Sequence, residues 1–399
     1  MKFSRIFIQF ITPFFLLGCN GGAKPQSQTS SGVLHLKTKS DNSYVTDFEK
    51  FVQNTMAETH IPGAAIAIVK DTNIVLLKGY GVKTFGTTDS VDAHTVFRIA
   101  SVSKGFASML AGILVQEKSL NWDDKVVKYL PYFKLKDEAS TNRLTIRHIL
   151  SHTSGLPVHT FTNKIEEGVP YSVLKYSLST VKLASPVGTS FAYQNVAYSL
   201  ISDIAQASTK KTYETLLREK IFKPLGMIDA SASYTGLKTS KNLALPHVRR
   251  DSTKYRLISN TPEYYSVLPA AGVNASISDM AKWLVALLGG RTDVISAKTL
   301  SEIYKPEINT PRRRKYEFYR WPNLKTASYG LGWRVLNYNG ETLIYHGGHI
   351  NGYRSEVAFC PSERVGVVIL TNASGKLAND GVEMFFDDYF ASQRALDKQ

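Results

Sequence analysis

Cysteine is scarce in this chain: Cys19 and Cys360 are the two present in 399 residues. A disulfide framework is therefore no basis for its stability. Long apolar runs are missing as well. The longest N-terminal one, Ile6 to Leu17, is broken by Gln9, Thr12 and Pro13 and is too short for a durable transmembrane helix. Acidic residues are in deficit, 33 against 48 Lys and Arg, which leaves a formal charge of +15. Such a surplus attracts anionic polymers and surfaces without specificity. There is no internal repeat. What remains, 43% hydrophobic and 20% charged residues, describes an ordinary soluble globule with room for one large domain or two small ones.

Lys2 and Arg5 ahead of the apolar stretch read as an export leader. It ends in Leu16-Leu17-Gly18-Cys19, which resembles the bacterial lipoprotein cleavage box. The resemblance implies cleavage before Cys19, lipidation of its thiol, and a membrane-anchored protein of the cell envelope facing the periplasm. Asn20 after the cysteine points, by analogy with sorting in enteric bacteria, to the outer membrane. Residues 20–42, rich in Gly, Ser, Gln, Thr and Lys, read as a flexible tether. One large domain would then span 43–395. With Cys19 lipidated, Cys360 has no pairing partner, and its apolar strand-like setting marks it as a buried small residue. The densest positive charge is Arg312-Arg313-Arg314-Lys315, followed by Tyr316, Phe318, Tyr319, Arg320 and Trp321. Basic residues mixed with aromatics can bind single strands. No nucleic-acid fold signature accompanies them, so a solvated loop is the default, the rim of a groove for an anionic cell-envelope ligand comes second, and nucleic acid is not an expected partner.

Two apolar runs, 64–69 and 74–77, flank the polar turn Lys70-Asp71-Thr72-Asn73 and predict a hairpin. The C-terminal region mirrors this with strands over 356–360 and 365–370, then a helix carrying Val382, Phe385, Phe386, Tyr389 and Phe390 on one face. Between these ends, helices are predicted over 104–117, 196–208, 213–222 and 279–288, the last capped by Ser278. The expected class is α+β: one antiparallel sheet built from both chain ends, flanked by helices, with a mainly helical subdomain inserted.

The chemistry concentrates in Phe97-Arg98-Ile99-Ala100-Ser101-Val102-Ser103-Lys104. Positions i and i+3 of a helix share a face, so the Lys104 amine can sit beside the Ser101 hydroxyl. A serine needs such a base before it becomes a nucleophile. Ser-x-x-Lys recurs at Ser172/Lys175, Ser179/Lys182 and Ser208/Lys211, but Ser101 alone precedes a run (Phe106, Met109, Leu110, Ile113, Leu114) fit to bury a helix. A plain helix cap is the competing role for Ser101. Tyr193-Gln194-Asn195 stands ahead of a second apolar helix, where Tyr193 could equally be a core aromatic. His346-Gly347-Gly348-His349 stands at a late strand, where two glycines permit close approach of a ligand or make a tight turn. His148 and His152, one turn apart, lack an acidic partner in zincin spacing, so neither a metal nor another cofactor is expected.

Ser-x-x-Lys, Tyr-x-Asn and His-x-Gly in this order resemble the penicillin-recognising serine hydrolases. The nearer likeness is to the branch of class C β-lactamases, D-Ala-D-Ala carboxypeptidases of the R61 type and related esterases. Residues 144–157 (LTIRHILSHTSGLP), 272–276 (GVNAS) and 329–333 (YGLGW) carry the same likeness, which covers roughly 45–390. It implies Ser101 as the acylated nucleophile, Lys104 as its activating partner and Tyr193 as a general acid/base. Asn195 would hold Lys104 and the substrate amide, His346 would stand where the third motif carries a cation, and the backbone N–H groups of Ser101 and His349 would form the oxyanion hole. The implied substrate is a small-molecule or peptidoglycan-derived amide, ester or β-lactam. A catalytically silent protein that binds peptidoglycan is the alternative. Free Tyr titrates near ~10 and Lys near ~10.4, so making either a base at neutral pH takes about 4 kcal/mol of differential stabilisation. Which of the two takes the first proton is open at this level. His346-Gly347 replaces the Lys-Thr usual in β-lactamases of the branch, which weakens any grip on a β-lactam carboxylate.

Overall fold

The computed structural model describes residues 43–310 and 321–396. The leader, Cys19, the tether and the Arg312–Lys315 cluster lie outside the described residues. The chain begins with helix α1 (Ser43–Thr59), hairpin β1 (Gly63–Lys70) and β2 (Asn73–Gly81), short strand β3 (Val96–Arg98) and helix α2 (Ser103–Gln116). A largely helical section follows, including α3 (Leu200–Thr209), and leads to β4 (Asn274–Ser276) and α4 (Ile277–Leu287). The C-terminal part runs through β5 (Ile308–Asn309), β6 (Leu324–Tyr329), β7 (Arg334–Tyr338), β8 (Glu341–Ile350), β9 (Tyr353–Cys360), β10 (Val365–Thr371) and α5 (Lys376–Leu396).

Both chain ends build one antiparallel sheet in the order β2-β1-β10-β9-β8-β7-β6-β5, so the expected α+β architecture is borne out. Strand β1 pairs with β10 with Ile66 opposite Ile369. Side chains alternate across a strand, and here both faces are covered. Ala65, Ala67 and Val69 enter the core beneath the helical section. Ala64, Ile66 and Ile68 enter a second core under α1 and α5. This is why the sequence shows unbroken apolar runs rather than apolar–polar alternation. In the second core Phe385 meets Phe48 edge-on at 5.3 Å between centroids, and Tyr44 meets Tyr389 at 5.1 Å.

Helix α2 lies in the first core, buried from Ser103 to Leu114. Trp283 of α4 stacks on Phe106 at 3.9 Å and 10°. Three helix boundaries differ from the sequence expectation. Ser276, not Ser278, caps α4: its hydroxyl accepts the Asp279 N–H at 3.2 Å, because the extended chain of β4 ends there. Helix α3 begins at Leu200 rather than 196, after a turn in which the Ser199 hydroxyl donates to Asn195 O at 2.9 Å. The helix expected over 213–222 changes at Arg218 from α to a π turn.

Candidate active site

The Ser101 turn is the meeting point of sheet and helices. Ser101 sits in a single 3-10 turn, Ala100–Val102, directly ahead of α2, with its side chain half-buried. Ala100 has φ 47°, a left-handed backbone for a residue with a Cβ, and such strain gathers at functional sites. The turn is latched from two sides. Ile99 N–H donates to Val273 O at 3.2 Å, and Val273 N–H donates to the Ser103 hydroxyl at 2.9 Å. From the sheet, Ser355 Oγ on β9 donates to Ile99 O at 2.6 Å. Gly348 on β8 approaches so closely that a Cβ there would overlap Ser355 Oγ and Ile99 O and lie 3.1 Å from Ser101 N. The strand carrying His349 is thereby brought beside the serine backbone.

Lys104 is wholly buried one turn further on. Its amine donates to Asn195 Oδ1 at 2.9 Å and to Ala270 O at 3.0 Å. It lies 4.5 Å from the centre of the Tyr193 ring. Asn195 Nδ2 donates to Thr162 Oγ1 at 3.3 Å, so the amide is held with its oxygen toward the lysine. Burial, with the Arg334 charge second, holds the Lys104 amine well below the ordinary lysine range. An uncharged amine has two N–H groups, matching the two acceptors present, and keeps a lone pair.

His346 is buried at the far side, its ring 6.4 Å from that of Tyr193. Its Nδ1 lies 2.9 Å from Gly347 O, which can only accept, so Nδ1 carries the proton. Nε2 then accepts from the Tyr329 hydroxyl at 3.1 Å. Burial first, then Arg334 and Lys104, holds this imidazole well below its usual range. His346 is thus a neutral ring with both nitrogens engaged by the protein, not a cation facing a substrate. The His349 side chain points elsewhere, with Nε2 3.2 Å from Ser374 Oγ. Residues three apart on a strand face opposite ways. Among the described residues no three His, Cys, Asp or Glu side chains converge in a way that could hold a metal ion.

Two of the other Ser-x-x-Lys pairs have their lysines in ion pairs elsewhere, Lys175 with Asp203 at 2.6 Å and Lys211 with Glu219, while Ser179 Oγ donates to Tyr176 O at 2.8 Å. The three segments behind the family likeness surround α2. Val273 N–H donates to Ser103 Oγ at 2.9 Å, Ser108 Oγ bonds Leu331 O, and Gly332 N–H donates to Leu150 O at 2.9 Å. Arg334 and Thr162 were not singled out from sequence; they owe their places to strand pairing and loop packing, whereas Tyr329 opens the 329–333 segment already noted.

A family model described as Beta-lactamase matches residues 48–384, and the chain belongs to that family. Among curated relatives, the unguisins hydrolase ungD' of Aspergillus campestris (strain IBT 28561) is 31% identical over 340 residues, 82% of this chain and 61% of its own. Protein flp of Staphylococcus aureus (strain N315) is 28% identical over 352 residues, 87% of this chain and 66% of its own. The chain therefore spans less than two thirds of either relative's length. Among solved structures, the octameric penicillin-binding protein homologue from Pyrococcus abyssi superposes with a TM-score of 0.75 at 24% identity, over 87% of this chain and 77% of that one. That likeness is one of fold.

Proposed function

We propose that this protein is a serine hydrolase that opens an amide or ester through an acyl-enzyme on Ser101. The observation that carries the reading is the buried Lys104 amine, donating to Asn195 and Ala270, one turn from a half-buried serine. Lys104 takes the Ser101 proton as Oγ bonds to the carbonyl carbon. The negative oxygen is met by the backbone N–H groups of Ser101 and His349. Tyr193, over the same amine, passes the proton to the leaving group. Water then attacks the acyl carbon, and Ser101 leaves as its hydroxyl. The name of the unguisins hydrolase supports the hydrolytic outcome.

His346, neutral and occupied, leaves the third motif without a cation for a β-lactam carboxylate. This supports a reading in which the substrate is a D-amino-acid peptide or ester rather than a β-lactam. The Leu16–Cys19 box and the 20–42 tether support a lipid-anchored place in the envelope, facing the periplasm. The test is labelling with a fluorophosphonate and a fluorescent penicillin, beside turnover of nitrocefin, a D-Ala-D-Ala peptide and p-nitrophenyl esters. Fluorophosphonate should label wild type and fail on Ser101→Ala, with ester or peptide turnover well above nitrocefin. Equal labelling of Ser101→Ala would remove the serine from the mechanism, and label-free wild type would favour a silent binding protein.

A further inference from the structure

His152 is fully buried beside the Tyr193–Asn195 segment, yet the chemistry above does not use it. Its backbone is left-handed at φ 57°, uncommon for a residue with a side chain. Its carbonyl accepts the Ala192 N–H at 2.9 Å, and its Nδ1 accepts the Gln194 N–H at 3.1 Å. A backbone N–H can only donate, so Nδ1 is unprotonated and the ring proton sits on Nε2. That Nε2 is buried with no hydrogen-bond partner. The ring is boxed by Tyr193 at 4.4 Å, Tyr329 at 4.9 Å, Tyr198 at 5.1 Å and Phe191 at 5.8 Å between centroids.

An orphaned buried N–H is costly. Phenylalanine would fill the same aromatic box without it. What histidine adds is one acceptor, placed on the N–H between Tyr193 and Asn195, the two residues that touch Lys104 from this segment. Protonating it would set a second donor against Gln194 N–H, in a pocket that already holds Lys104. Burial first, then Lys104 and His346, holds the ring well below the usual histidine range.

We propose that His152 is a positioning residue: its neutral Nδ1 fixes the 192–195 segment so that the Tyr193 phenol and the Asn195 amide converge on Lys104. The inference rests on the serine-hydrolase reading. The groups facing His152 are Lys104 from α2, Tyr193 and His159 from their loops, Tyr198 ahead of α3, and Tyr329, Arg334 and His346 from the sheet. Those are the charges and phenols whose spacing a displaced segment would change.

The experiment compares fluorophosphonate labelling rates of wild type, His152→Phe, His152→Asn and His152→Gln across pH, with KM and kcat on a p-nitrophenyl ester and melting of each variant. His152→Phe keeps the ring and drops the acceptor. It should label about 100-fold more slowly, the scale expected of a misplacement near 1 Å. KM should stay near wild type and the pH of half-maximal rate should move, while the melting temperature should fall by a few degrees because Gln194 N–H loses its acceptor. His152→Asn tolerates the left-handed backbone and puts an oxygen near the Nδ1 place, so it should recover most of the rate. His152→Gln reaches the Nε2 place instead and should not, which keeps the comparison decisive if the phenylalanine variant fails to fold. His152→Phe labelling within threefold of wild type, or Asn as slow as Gln with an unchanged pH profile, would overturn the proposal. Absence of label on wild type would instead sink the serine reading beneath it.

Discussion

Lys104 carries the largest burden of any single residue in the site. Its folded-state amine is held well below the ordinary range by burial and Arg334, whereas in the unfolded chain it titrates near ~10.4. Between those two values the unfolded chain binds the extra proton. This group therefore makes stability rise with pH across that window. In Lys104→Met this rise should disappear, measured by denaturant unfolding from pH 6 to 10, and acylation should fall by several orders of magnitude. A wild type whose stability is flat over that range would mean that the amine is charged in the fold. The mechanism proposed above has Lys104 act as a free amine, so the labelling rate should fall as pH drops through the lowered value and reach its plateau well below pH 10. The Ser101–Lys104 spacing was legible because helical periodicity is local. The residues that tune it were not, since Arg334 and Thr162 reach the site only through folding.

At the scale of elements, the approach of strand β8 to the Ser101 turn matters most. A Cβ at Gly348 would overlap Ser355 Oγ and Ile99 O, and both are backed by buried structure that cannot yield. Gly348→Ala should therefore push β8 off the turn and slow fluorophosphonate labelling by about 100-fold, while circular dichroism stays native. Labelling at the wild-type rate would show that β8 supplies nothing to the reacting carbonyl. The two glycines of the motif could be read from sequence as permitting close approach. Which backbone came close could not. The misplaced α4 cap has a similar origin: helical pattern pointed to Ser278, and only the pairing of β4 with β3 decides that the extended chain stops at Ser276.

On the scale of the whole molecule, the N-terminal hairpin and C-terminal strands share one sheet, so neither end can form its part alone. Helix α5 seals the second face, with Phe385 fully buried against Tyr44 and Phe48. Phe385→Ala should cost about 3–5 kcal/mol, read as a lower urea midpoint, and labelling should fall only as the folded fraction falls. Loss of labelling in a fully folded variant would show that this distant face is coupled to the serine. Contacts between residues some 300 apart in sequence, such as Gly63 N–H donating to Asn372 Oδ1 at 2.8 Å, close the sheet. Sequence periodicity marked the strands involved, because each is apolar enough to be buried. Their neighbours were inferred from their places at the two chain ends.

The sequence by itself determined the terminal hairpin, the last two strands, the main helices and the two-ended sheet, together with the candidate Ser-x-x-Lys, Tyr-x-Asn and His-x-Gly motifs, since these follow from short-range spacing and apolar pattern. Helix α1 and the strands β5–β8 had no such local signal. Tertiary structure alone decided their electrical state. Burial in a low-dielectric interior disfavours the charged amine at Lys104 and the charged rings at His152 and His346. That burial is made by segments far apart in the chain, so no local stretch of residues encodes it.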